Sequence, residues 1–230
     1  MDYRILLEYA PYSQRTGDGG NCVNAFNLNA KTQLERFLGR PYIFEKQVFD
    51  VYMTEHEKKN KYGDYILLNA NCQTCSETKA YPWFQEIVNS RRDLKFIQIG
   101  GKEDRDIQQV LTGTKNLRGK TTIRDLITLV SNAKAIITPP SAVVHIASAF
   151  PQVKVIVVSG GREPEILTKY DNTIHITSEI CKPYNGKYGC MKFFTRPIDI
   201  RTCTECIERK GQKFPKCMAD CDWREIVKYL

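Results

Sequence analysis

The stretch AIITPPSAVVHIASAFPQVKVIVVSGG, Ala135–Gly161, decides the fold. Its first segment, AIIT, is apolar without alternation, the pattern of a strand buried on both faces. Two prolines and Ser141 make a turn, and AVVHIASAF then reads as a helical run. KVIVVSGG is a second continuously apolar strand, closed by two glycines. Strand, helix and strand in this order predict parallel pairing beneath a crossover helix. His145, one of three histidines, falls one turn into that helix. There it can meet a phosphate, or it can be a structural histidine bonded to a backbone carbonyl.

Working outward, the same alternation recurs on the N-terminal side. YILLNA from Tyr65 is a compact apolar strand, followed by the polar loop NCQTCSETK and a helix around PWFQEIVNS. KFIQIGG is another strand ending in glycines, and EDRDIQQVL follows it as a helix. TTIRDLITLVSNA places Ile123, Leu126, Ile127 and Val130 at helical spacing on one face. The class is therefore α/β, a doubly wound parallel sheet of nucleotide-binding type. Before it, YRILLEYA reads as a short strand, and AFNLNAKTQLERFLG as a helix stopped by Gly39. The expected organisation is a short N-terminal region over 1–64, a Rossmann-like domain over 65–175, and a cysteine-rich tail over 176–230 that ends in a helix.

In doubly wound sheets, ligands bind beyond the carboxyl ends of the strands. Those ends carry glycines, hydroxyls, Lys79, Lys120, His145 and Arg162, an inventory suited to phosphate and ribose. Neither GxGxxG nor GxxxxGK[ST] occurs, which argues against a dinucleotide fingerprint and a phosphate-loop NTPase. The formal net charge of +8 favours anionic partners. No run of eighteen apolar residues is present, so no membrane span is expected, and the first residues lack the pattern of a signal peptide. The expected location is the cytoplasm, where nine cysteines point to metal or free thiols before disulfides.

Taken together, NLRGKTTIRDLITLVSNAKAIITPPSAVVHIASAFPQVKVIVVSGGREPE resembles the C-terminal half of glycosyltransferase family 9, the ADP-heptose heptosyltransferases. The family has a G-K-T turn opening a helix, a strand, and a D-T-G-x-x-H motif. YILLNANCQTCSETKAYPWFQEIV resembles its strand, polar loop, lysine and helix. SGGREP with Gly189-Cys190 is similar to a branch carrying GGREP and a downstream G-C pair. The resemblance implies the donor-binding half of a glycosyltransferase B fold. It places Lys79 against the donor phosphates, Gly119, Lys120 and Thr121 against the nucleoside, Ser141 and Ala142 at the diphosphate, and His145 at the family's histidine. Pro140 stands where the family has an acidic residue, so any role of that carboxylate with the donor sugar is missing. Asp18, in RTGDGGN, is similar to the G-D of the family's first strand–helix turn and is the candidate catalytic base; it also reads as an Asp-Gly turn.

The tail holds six of the nine cysteines. Cys203 and Cys206 form a C-x-x-C pair able to grip one tetrahedral metal, and Cys190 and Cys217 flank it at workable loop lengths. Cys181 and Cys221 are alternates, and free thiols are the other reading. Thiolates alone do not separate zinc from iron. The tail also resembles heptosyltransferases ending in C-x-x-C, then C-M, then a helix. In the autotransporter branch, four such cysteines hold an iron.

The function these readings imply is transfer of a sugar, ADP-heptose being the implied donor, to a bacterial glycan such as lipopolysaccharide or to a protein acceptor. The alternative is a non-catalytic nucleotide-sugar-binding module or partner subunit, stabilised by its metal; a homo-oligomer or a partner subunit is the expected means of completing the cleft for transfer. Few aromatics are interleaved with the tail's lysines, which disfavours nucleic acid.

Overall fold

The computed structural model describes residues 39, 51–70, 79–101, 110–161, 165–180, 206–209 and 212–230. The apolar runs become the strands β1 (Ile66–Leu68), β2 (Phe96–Gln98), β4 (Ala135–Thr138) and β5 (Lys154–Gly160). Two further strands, β3 (Thr114–Asn116) and β6 (Thr173–Thr177), lie at the edges of the same sheet. The order is β3-β2-β1-β4-β5-β6, with every neighbouring pair parallel. Chain order reverses between β1 and β4, where a doubly wound sheet opens its binding crevice.

Burial on both faces explains why the inner strands are apolar throughout. Leu67, Ile136, Val155 and Val157 project into one core, with Leu129 and Val130 of helix α2 (Ile123–Ser131) and Val143, Val144 and Ala147 of helix α3 (Ala142–Ala147). Ile66, Leu68, Ile137, Ile156 and Val158 project into the other, against Phe84, Ile87 and Val88 of helix α1 (Phe84–Ser90). Each fully buried aliphatic of this kind contributes about 1.5–3 kcal/mol. The α/β class expected from the sequence is the one observed. Ile123 differs from expectation: it is 70% exposed, and Leu129 takes its place in the core with Val130. Helix α2 begins at a capping box, in which Thr122 accepts from the Asp125 N–H and the Asp125 carboxylate accepts from the Thr122 N–H.

The second core is completed from the tail. A hairpin of β7 (Cys206–Arg209) and β8 (Gln212–Pro215) leads into helix α4 (Lys216–Asp220) and helix α5 (Trp223–Val227). Cys217, Met218, Cys221 and Ile226 are buried among Ile156, Val158 and the residues of α1. The Trp83 indole donates to the Ala219 carbonyl at 2.7 Å, and the Tyr81 hydroxyl donates to the Cys221 carbonyl at 2.9 Å. Gly160 ends β5 at φ +54°, and a Cβ there would stand 2.5 Å from Met218 Sδ and 3.3 Å from Cys217 Sγ. Only glycine both adopts that backbone and admits the α4 side chains so closely. No helix among the described residues is long and apolar enough to cross a membrane. The strand near the N-terminus, the helix of 25–39 apart from Gly39, and most of the helix expected over 103–111 lie outside the described residues.

Candidate functional site

The carboxyl ends of β1 and β4 meet through side chains. Asn69 follows β1, is 5% exposed, and its backbone N–H extends the ladder to the Ile137 carbonyl at 3.0 Å. Its amide donates to Thr138 Oγ1 and to Ser141 Oγ, both at 3.0 Å. The Thr138 and Ser141 hydroxyls are themselves 3.0 Å apart, and Thr138 donates to the Pro139 carbonyl at 2.8 Å. A buried amide left unpaired costs about 1–3 kcal/mol, so this network fixes the Pro139–Ser141 turn to the end of β1. Lys79 reaches the same turn, its Nζ donating to the Pro140 carbonyl at 2.9 Å. Lys79, Ser141 and Ala142, three of the residues expected at a diphosphate, therefore surround the reversal point between β1 and β4.

His145 lies one turn further along α3, half-buried, with Nδ1 2.8 Å from the Tyr170 hydroxyl. Tyr170 is 7% exposed and stands edge-on to the imidazole at an interplanar angle of 85°. A neighbouring pair, Thr168 Oγ1 and His175 Nε2 at 3.0 Å, ties the same connection between β5 and β6 to the edge strand. Burial holds the His175 pKa below the usual histidine value. At the end of β5 the pairing with β6 shifts register between Val158 and Gly160, as in a β-bulge. Ser159 sits at that irregularity, 3% exposed, and its hydroxyl has no hydrogen-bond partner among the described residues.

Gly119, Lys120 and Thr121 form a separate group beyond β3. Three strand spacings, about 14 Å, separate β3 from β4. Gly119 adopts φ +63° and its N–H donates to the Gly100 carbonyl at 2.9 Å, pinning the turn to the end of β2. Arg118, 3% exposed, donates from Nε to Asn116 Oδ1 at 3.1 Å. The Lys120 ammonium reaches the Asn116 carbonyl at 3.3 Å. A cleft of about 160 Å3 opens beside Lys120 and Thr121, bounded by Tyr62, Tyr65 and Asn132. The expected donor residues thus fall into two groups along one edge rather than one tight cluster.

Of the expected metal ligands, Cys190 and Cys203 lie outside the described residues, as do the alternate Cys181 and the candidate base Asp18. Cys206 opens β7 opposite Pro215, two residues before Cys217, so the hairpin brings the backbone of the two cysteines near one another. Cys217 is buried, at the start of α4. Cys221 donates its thiol to the Ile176 carbonyl at 3.5 Å and the Cys217 carbonyl at 3.4 Å, and burial pushes its pKa up to about 12. Burial thus favours the protonated thiol at this position. Among the described residues, no three His, Cys, Asp or Glu side chains gather into a metal site.

Sequence reasoning missed Asn69, Thr138, Tyr170 and Ser159. The available signal was a polar residue ending each apolar strand: Asn69 after β1, Thr138 on β4 and Ser159 on β5. Tyr170 left no comparable signal.

Residues 26–190 match the family model described as Glycosyltransferase family 9 (heptosyltransferase). Among solved structures, the ADP-heptose lps heptosyltransferase II of E. coli is similar with a TM-score of 0.58 at 13% identity, over 90% of this chain and 59% of that one. A glycosyl transferase family 9 protein of Veillonella parvula DSM 2008 is similar with a TM-score of 0.53 at 17% identity, over 66% of this chain and 48% of that one. The chain thus spans less than two thirds of the length of these structures. No curated protein sequence matches it.

Proposed function

Because the chain belongs to glycosyltransferase family 9, we propose that it binds a nucleoside diphosphate sugar, ADP-heptose, along the carboxyl edge of its sheet and serves transfer of the sugar. The observation that carries this reading is the hydrogen-bonded cluster of Lys79, Pro140, Ser141, Asn69 and Thr138 at the reversal point between β1 and β4. A lysine held against a rigid polar turn is suited to receive a diphosphate. The second group, Gly119, Lys120 and Thr121 with its adjoining cleft, suits the nucleoside, and a nucleoside diphosphate is extended enough to engage both groups. His145 then meets a phosphate oxygen. The E. coli neighbour is named for lipopolysaccharide, and the acceptor proposed for this chain is a glycan of that class. Asp18 in the segment 1–64 is the proposed general base, with 65–175 as the donor domain and 176–230 as the tail.

Calorimetry with ADP and ADP-sugars tests the donor site. Binding should weaken by about 1–3 kcal/mol in Lys79→Ala, the range for a charge-assisted hydrogen bond. Unchanged affinity in both Lys79→Ala and His145→Ala would place the ligand elsewhere. A turnover assay with glycan acceptors separates a transferase from a nucleotide-sugar-binding module.

Cys190, Cys203, Cys206 and Cys217 are the proposed ligands of one zinc or iron. The β7–β8 hairpin, which holds Cys206 beside the start of α4, supports this ligand set. Elemental analysis should find about one metal per chain; less than a tenth of that, with all thiols titrating as free, removes the proposal.

A further inference from the structure

We propose that Tyr170 is a positioning residue of the donor site: its hydroxyl donates to His145 Nδ1 and so fixes the imidazole in the tautomer that carries its proton on Nε2. This rests on the reading that His145 meets the donor phosphates, and it assigns a task to a residue 25 positions away in sequence. The contact is short, at 2.8 Å, and the phenol cannot easily swing aside. Tyr170 is 7% exposed and is packed in the core with Val143, Val144, Ala147 and Val157. Its backbone is equally fixed: the N–H donates to Thr173 Oγ1 at 2.9 Å, and its carbonyl accepts from the Thr173 N–H at 3.0 Å and hydroxyl at 2.7 Å.

The direction of the bond follows from the two groups. A phenol with a pKa of about 10 is a good proton donor, and the unprotonated nitrogen of imidazole is a strong acceptor, so O–H···Nδ1 is favoured over the reverse. With Nδ1 so engaged, the neutral ring carries N–H at Nε2, on its opposite side. A phosphate oxygen offers only lone pairs, so this tautomer binds it and the other would present a lone pair to an anion. If the arriving diphosphate draws a proton onto the ring, Nδ1–H donates instead to the phenol oxygen, which accepts as readily as it donates. Tyr170 thus supports the imidazole in both protonation states while Nε2 remains a donor.

Imidazole nitrogen-15 NMR on the full chain reads the tautomer directly. The chain has three histidines, and the signals absent from His145→Gln identify the ring in question. Above the histidine pKa, the wild type should show the Nε2–H pattern alone for His145, and Tyr170→Phe a mixture of both tautomers. An Nδ1–H pattern in the wild type, or identical patterns in the two proteins, overturns the proposal. Calorimetry with ADP supplies the second readout. Tyr170→Phe, which keeps the ring in the core, should weaken binding about three- to tenfold, the loss of one hydrogen bond. Equal affinity in Tyr170→Phe and wild type overturns the positioning role. In His145→Gln the amide nitrogen stands in for Nε2–H, so binding should exceed that of His145→Asn, which stands in for Nδ1–H. Adding Tyr170→Phe to His145→Gln should then cost nothing further, because the histidine through which it acts is gone. The glutamine and asparagine variants leave Tyr170 untouched and still decide the matter if Tyr170→Phe misfolds; equal weakening in the two refutes the tautomer. If both bind ADP like the wild type, His145 does not meet the donor and the positioning role fails with it, while the NMR pattern separately shows whether the phenol bond exists.

Discussion

Gly160→Ala isolates the contact between the sheet and the cysteine tail. Two costs add at this position. The φ of +54° costs an L-residue about 1–2 kcal/mol. The new methyl would also sit 2.5 Å from Met218 Sδ and 3.1 Å from its Cγ, and forcing one carbon into a filled core costs about 1–3 kcal/mol. Methionine is flexible, but Met218 is 1% exposed and packed in the core, so its displacement must be taken up by buried neighbours. The expected loss is therefore about 2–5 kcal/mol, a fall of about 0.7 M or more in the urea midpoint when m is about 1–3 kcal/mol/M. Met218→Ala alone leaves a cavity and costs about 2–5 kcal/mol. The double variant should lose about 1–3 kcal/mol less than the sum of the singles, because the alanine at 160 then enters the space vacated by the methionine. Urea unfolding followed by fluorescence measures all four proteins. A Gly160→Ala midpoint within error of the wild type, or strictly additive losses, would refute the packing of α4 on β5.

Asn69→Ala should destabilise the protein by about 1–3 kcal/mol, since the Thr138 and Ser141 hydroxyls lose the amide between them; thermal unfolding measures this, and no loss would mean that water replaces the amide freely. Glu57 supplies a pH dependence: hydrogen bonds from Arg124 and the Thr54 backbone hold its pKa at about 2, against an ordinary 4.5. Because the folded value is the lower one, its contribution is fully present above pH about 4.5 and is lost as pH falls towards about 2. Melting temperatures across that window should fall less steeply in Glu57→Gln than in the wild type, and parallel curves would refute the assignment. Cys221, with its pKa pushed up to about 12, should resist iodoacetamide at pH 8 in the folded protein and react on unfolding; rapid labelling at this residue, read by mass spectrometry, would contradict its burial.

The strands most legible in the sequence are those buried on both faces. β1, β4 and β5 are apolar at nearly every position, as two-sided burial favours, with Thr138 and Ser159 as the polar exceptions near the strand ends. β3, with the sequence TKN, and β6, with TIHIT, carry polar residues because edge strands need less cover. They could be recognised only by pairing with β2 and β5. The same limit holds at the site. Lys79, Ser141 and His145 could be placed on the binding edge from their positions next to strands and helix starts. Their partners could not, since Lys79 meets a proline carbonyl 61 residues away and Asn69 meets Ser141 72 residues away. Backbone acceptors have no side-chain signature. Docking of the tail was hidden for a related reason: its specificity lies in the missing side chain of Gly160, which by itself reads as a turn.

The bonds that tie α1 to the tail set a schedule for biosynthesis. Trp83 waits for a carbonyl 136 residues downstream and Tyr81 for one 140 residues downstream. At about 5–20 residues per second, about 7 to 28 s pass between translation of the two ends of these contacts. Val158 on β5 is made 60 residues before Met218 and 68 before Ile226, so for about 3 to 14 s of that time its face of the sheet lacks the side chains that later cover it, while the parallel strands are already competent to pair. The nascent chain therefore offers an apolar sheet face to its surroundings for a long time relative to collapse, which takes microseconds. Chaperone occupancy during synthesis should peak after β5 has emerged and end with the arrival of α4 and α5.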